Sequence, residues 1–117
     1  MAPLQAFAST GTRTVPTGAV VWINHRRANV AAMNTDGRVA TYQINRGPKP
    51  EPAFLALVVR AIGDRERVVI LGPSSARLAL EREYVSIFRR PDRLVDVEPA
   101  GALDIAKLVD RLHALTA

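Results

Sequence analysis

Residues 66–80, ERVVILGPSSARLAL, restrict what this chain can fold into more than any other stretch. Arg67 to Leu71 is a β-branched apolar run, the pattern of a strand buried on both faces. Gly72-Pro73 breaks it. Ser74 then offers a hydroxyl that can accept a backbone N–H and cap a new helix, and Ala76, Leu80 and Tyr84 follow at intervals of four, stacked on one helical face. Strand, tight turn and helix in that order belong to an α/β domain.

The residues on either side extend this reading. Gly18 to His25, Ala28 to Asn34 and Arg38 to Ile44 each read as a strand. Asp36-Gly37 sits between the last two, a pair that tolerates positive φ at both centres of a type I′ turn, so an antiparallel meander is expected. The loop Asn45 to Glu51 contains Gly47, Pro48 and Pro50, and Pro52 can open a helix whose apolar face is Phe54, Val58 and Ile62 and which Gly63 ends. After the Ser74 helix, burial is expected to continue through Val85, Ile87 and Phe88 to the Arg89-Arg90-Pro91 break. Leu94 to Val97 reads as a short fifth strand and Gly101 to Leu115 as a final helix, with Ile105, Leu108, Val109 and Leu112 on one face and Asp104 near its positive end. The order β-β-β-α-β-α-β-α predicts a three-layer α/β/α body with a central mixed sheet.

A chain of 117 residues fits one domain, expected over residues 18–117. Met1 to Thr17 carries Ser9, Thr10, Gly11, Thr12, Thr14, Pro16 and Thr17 without a sustained apolar period and reads as a flexible N-terminal segment. Its apolar run is too short for a secretory signal, and no stretch is long enough to span a membrane, so a cytoplasmic protein is expected. The chain has no cysteine, which excludes disulfides, Cys-ligated zinc and thiol catalysis. With two histidines, His25 and His113, far apart in sequence, no metal site and no cofactor are expected. Fourteen arginines and two lysines face 11 acids, a net charge of +5 that favours phosphate backbones or other acidic surfaces. Aromatics make up 5%, which disfavours a base-stacking platform of the single-strand-binding kind.

Three groups of residues are candidates for binding. Asn24-His25-Arg26-Arg27 falls between the first two strands, where Arg26 and Arg27 beside His25 could hold phosphate oxygens, or where Asn24 and His25 simply bond the local backbone. Ser74 and Ser75 stand at a helix start, a possible anion site that lacks the lysine and glycine spacing of a P-loop and that a plain N-cap also explains. Arg89, Arg90 and Arg93 gather behind a helix, where they either offset its negative end or touch phosphate. No nucleophile, base or metal-ligand grouping can be assembled, and Glu81 and Glu83 point different ways on one helix. No catalytic residue is assigned and the chain is expected not to be an enzyme.

Two stretches carry a family resemblance. VVWINHRRANV (Val20 to Val30) is similar to the opening hairpin of bacterial single-domain relatives of the third domain of archaeo-eukaryotic peptide-chain release factors and Pelota. Many of those relatives have an Asp-His pair where this chain has Asn24-His25. VVILGPSSARLAL (Val68 to Leu80) resembles their strand, Gly-Pro turn and helix, and the likeness runs from Val20 to the C-terminus. It implies the α/β/α fold shared with small RNA-binding ribosomal proteins, and a role in binding. Release chemistry in that family needs a Gly-Gly-Gln loop on another domain, and this chain has no Gly-Gly pair. The histidine-rich loop of many bacterial relatives is here Arg46-Gly47-Pro48-Lys49-Pro50. The resemblance and the basic balance together lead to a non-catalytic domain contacting RNA or the translation machinery, with the ribosome or structured RNA as partner. The alternative is a protein–protein module acting as a homodimer through a sheet edge or the Val85-Ile87-Phe88 ridge.

Overall fold

The computed structural model describes residues 17–117, so the expected flexible segment lies outside the described residues apart from Thr17. Strand β1 (Gly18–Ile23) is followed by β2 (Arg27–Met33), β3 (Val39–Asn45), helix α1 (Glu51–Ile62), β4 (Arg67–Gly72), α2 (Ala76–Phe88), β5 (Leu94–Pro99) and α3 (Ile105–Thr116). The run that opened the sequence reading is β4, and Val68 to Leu71 are all buried.

The sheet runs β3-β2-β1-β4-β5. β1 pairs antiparallel with β2 and β2 with β3, whereas β4 lies parallel to both β1 and β5. The sheet is therefore mixed. Alternation along the strands divides the apolar residues between two cores. Val21, Ile23, Val30, Val68 and Ile70 face α1 and α2, meeting Phe54, Val58 and Ile62 from one helix and Ala76, Leu80 and Tyr84 from the other. Val20, Trp22, Ala31, Met33, Val69 and Leu71 face the opposite way, under Leu108 and Leu112 of α3. The two crossovers, β3-α1-β4 and β4-α2-β5, advance across the sheet in the same direction, so the handedness preference sends both helices to one face. The final helix covers the other, completing three layers.

Local chemistry ends each helix. Gly63 (φ 71°) closes α1 with its N–H on the Val59 carbonyl at 2.9 Å. Arg89 closes α2 in the same left-handed region (φ 58°), which costs a non-glycine residue about 1 kcal/mol. Tyr84 is fully buried on α2, its ring 4.8 Å from Phe88 and its hydroxyl donating to the Gly63 carbonyl at 3.4 Å.

Several sequence expectations need correction, among them the burial expected to continue through Val85, Ile87 and Phe88, since Ile87 is 49% exposed and Val85 and Phe88 are only partly buried. The β2–β3 connection is not a type I′ turn: of Asp36 and Gly37, Gly37 alone has positive φ (84°). Asn34 accepts from the Gly37 N–H and donates to the Arg38 carbonyl, both at 2.9 Å, which makes a three-residue loop ending in a left-handed glycine. The final helix begins at Ile105 and not at Gly101, because the Gly101 carbonyl accepts from Trp22 Nε1 at 2.8 Å and Asp104 caps the helix through the Lys107 N–H at 2.9 Å. The helix after the Gly-Pro turn starts at Ala76, with Ser74 Oγ accepting the Ala76 N–H at 3.3 Å. β5 also runs to Pro99, two residues beyond the expected end.

Because β1, β3, β4 and β5 point the same way, their C-terminal ends share one end of the sheet. Each helix follows a strand directly, so all three helices begin at that same end. In open α/β sheets this is the end at which ligands bind.

Candidate functional site

The β1–β2 tip stands at the end where the helices begin. Asn24 Oδ1 accepts the N–H groups of Arg26 at 2.8 Å and Arg27 at 2.9 Å, an Asx turn that fixes the tip and leaves the Arg26 side chain exposed. The loop after β3 folds against it: the Arg46 N–H donates to the Arg26 carbonyl at 2.8 Å, and the Arg46 Nε donates to the Lys49 carbonyl at 2.9 Å. Lys49 Nζ donates to the Asn45 carbonyl at 3.1 Å. His25, Arg26, Arg46 and Lys49 consequently line one shallow concavity of about 610 Å³. His25 Nδ1 lies 3.9 Å from the carboxylate of Glu51 at the start of α1.

Arg27 belongs to the neighbouring surface. Its guanidinium carbon lies 5.8 Å from the centroid of the Trp22 ring, within cation–π range. Beside it a groove of about 700 Å³ runs between β2–β3 and the start of α3, lined among others by Asn29, Gln43, Asp104 and Lys107. Arg26, Arg27, Arg46, Lys49, Arg77 and Lys107 thus gather at one end, opposed there by the carboxylates of Glu51 and Asp104. The positive dipole ends of three helices add to the field.

The other candidates are placed differently. Ser74 and Ser75 lie at this end but line neither concavity; the Ser74 hydroxyl accepts the Ala76 N–H in the turn ahead of α2, and Ser75, the N-cap, makes no side-chain cap. Arg89, Arg90 and Arg93 precede β5 and so stand at the opposite end of the sheet from His25, Arg26 and Arg27. Arg90 grips Asp92 with two hydrogen bonds of 3.0 and 2.9 Å, which hold the Asp92 carboxyl below its ordinary range. Arg93, mostly buried, pairs with Asp64. Two of these three arginines are therefore engaged in ion pairs of the fold. The five arginines do not share one surface.

Arg46, Lys49, Lys107 and Asn29 were not singled out as binding residues from the sequence. Arg46 and Lys49 were visible as the basic residues of a Gly-Pro loop, but nothing local shows that this loop docks on the first hairpin. Among the described residues no group of three or more His, Asp or Glu is placed to hold a metal ion, and no helix is long and apolar enough to cross a membrane.

A mixed five-stranded sheet with two helices on one face and one on the other defines a three-layer α/β/α fold. Solved structures of Pelota have this fold. The chain superposes on Archaeoglobus fulgidus Pelota with a TM-score of 0.63 and 12% identity, covering 92% of this chain and 34% of that one. It superposes on Thermoplasma acidophilum Pelota with a TM-score of 0.60 and 20% identity, covering 91% of this chain and 34% of that one. The chain spans about a third of the length of these Pelota proteins. No protein-family model and no curated protein matches the sequence.

Proposed function

We propose that this chain is a non-catalytic, translation-related binding domain that contacts structured RNA or the ribosome through its cationic end. The observation that carries this is the convergence of Arg26, Arg46 and Lys49 on one exposed concavity, with Arg27 and Lys107 on the groove beside it. The likeness in fold to Pelota supports the translation setting. Such a site holds phosphate by charge, so binding weakens as counterions compete, and each lost contact lowers the salt slope by about 0.9.

Co-sedimentation with ribosomes and filter binding to a structured RNA, each over a salt series, test the reading. Binding is expected at low salt and should fall steeply as salt rises. Reversing Arg26 and Arg46 together to Glu should weaken it more than about tenfold, whereas reversing Arg89 and Arg90 at the far end should change it less than about twofold. No binding at low salt overturns the proposal.

One observation favours a second reading, a homodimer. β5 guards its edge with Asp96, Glu98, Pro99 and a bulge, but β3, VATYQIN, is an uncharged edge strand with Tyr42 exposed. Two copies pairing through β3 would continue the sheet about a twofold axis. Sedimentation equilibrium decides: a strictly monomeric chain at high concentration removes this reading.

A further inference from the structure

The outer edge of β3 carries a row of open backbone groups. In the antiparallel β2–β3 pair the residues that exchange bonds alternate, and the bonds of Asn34 to Arg38 and of Arg46 to Arg26 fix which ones they are. Ala40, Tyr42 and Ile44 therefore bond inward to β2, while Thr41 and Gln43 turn their N–H and C=O groups outward. None of those four groups has a partner among the described residues. The Asn45 carbonyl, next in the outward row, is held by Lys49 Nζ at 3.1 Å, which ends the open stretch.

Two grooves border this edge, one on each face of the sheet. On the α1 side a groove of about 530 Å³ is lined by Tyr42, Ile44, Leu57, Ala61 and Arg60, with no acid among its lining residues. On the α3 side the groove of about 700 Å³ runs past Thr41 and Gln43 to Leu103, Ile105, Arg27 and Lys107. Arg27, Arg60 and Lys107 are in no ion pair among the described residues. The one carboxylate lining either groove, Asp104, spends an oxygen on capping α3.

We propose that the edge of β3 receives an extended acidic segment of a partner protein, added to the five-stranded sheet as one more strand. A row of donors and acceptors at strand spacing is complemented by another polypeptide backbone, which a nucleic acid does not supply. Side chains of an added strand alternate between the faces, so successive residues enter the two grooves in turn. An apolar side chain fits beside Leu57 and Ala61, and carboxylates meet Arg60 on that face and Arg27 with Lys107 on the other. Charge selects the occupant. A second copy pairing through its own β3 would bring its Arg27, Arg60 and Lys107 to the same junction, like charge on like on both faces, whereas an acidic segment neutralises them. The proposal does not depend on RNA contact. The backbone row and the α1-side groove lie outside the concavity of His25, Arg26, Arg46 and Lys49, and only Arg27 and Lys107 serve both.

The isotope-labelled full chain titrated with the capped peptide Thr-Glu-Val-Glu-Val-Glu-Thr tests it, with amide hydrogen exchange read at Thr41 and Gln43. Both amides should exchange fast in the free chain and slow more than about tenfold at saturating peptide, while the Tyr42 amide, bonded to β2, is slow throughout. The same peptide with Lys in place of Glu should bind about tenfold more weakly. Arg60→Glu, an exposed change, should weaken the acidic peptide at least about threefold and narrow that preference. Gln43→Pro removes one outward donor and no bond to β2, which an edge strand tolerates, and should weaken the acidic peptide about tenfold. Equal binding of the two peptides, or peptide binding that leaves the Thr41 and Gln43 amides fast, overturns the proposal. Slowing of those amides with rising chain concentration and no peptide gives the edge to a second copy. Slowing by a structured RNA but not by the peptide gives it to nucleic acid, and either result overturns the proposal as well.

Discussion

At Gly72, β4 passes so close to β1 that a Cβ there would stand 2.1 Å from the Ile23 carbonyl oxygen. That atom is backbone at the end of the central strand β1, still paired with β2, and cannot swing away. Gly72→Ala should therefore cost about 3 kcal/mol, the upper end of the range for overpacking, read as a lower urea midpoint with unchanged slope. The sequence marks Gly72 as a breaker before Pro73, which is correct about the turn and silent about this contact. Arg93 shows the same limit. Three arginines behind a helix look alike in sequence, yet Arg93 is bound to Asp64, 29 residues earlier, and Arg90 to Asp92, two residues on. Asn24 was legible, because its two hydrogen bonds reach only to Arg26 and Arg27.

The elements were legible where a period or a breaker specifies them. The apolar faces of α1 and α2 and the double-sided burial of β4 follow from spacing alone. Where an end depends on a distant partner, the sequence misleads: α3 starts four residues late because Gly101 is drawn to Trp22 across the molecule. Its real start rests on Asp104, and Asp104→Ala should lower stability by about 1 kcal/mol in thermal or urea unfolding. A second tie joins α3 to β5, where Arg111 donates to Glu98 at 2.6 Å. The hydrogen bond from Arg111 holds the Glu98 carboxyl below its ordinary range, so its stabilisation is present at neutral pH and is lost as pH falls through that depressed value. Asp96, sharing a hydrogen bond with Glu98, is raised and acts with the opposite sign, which blunts the acid response. Glu98→Gln should be less stable than the parent at neutral pH by under about 1 kcal/mol, both side chains being partly exposed, and the gap should close as pH falls below the ordinary carboxylate range in paired unfolding curves.

On the scale of the whole molecule, the class of fold could be read from element order, but the gathering of cations at one end could not. Arg26, Arg46 and Lys107 are separated by most of the chain and share one end of the molecule only because β1, β3 and β5 point the same way. Strand order is a property of the assembled sheet, and no local window contains it. The same assembly leaves β3 as an unguarded edge. Should the chain pair through that strand, Gln43→Lys on both copies should shift sedimentation toward monomer by placing charge along it, without loss of secondary structure.

Three helix starts and six basic side chains occupy one pole, while the other holds three helix ends and seven arginines, of which Arg38, Arg90 and Arg93 are paired with Asp36, Asp92 and Asp64. A body built this way feels a torque near a polyanion and rotates before it touches. Encounters that begin wrong side forward are turned around within the range of the field, about 8 Å in physiological salt. The fold thus selects which face arrives first, before any hydrogen bond has formed.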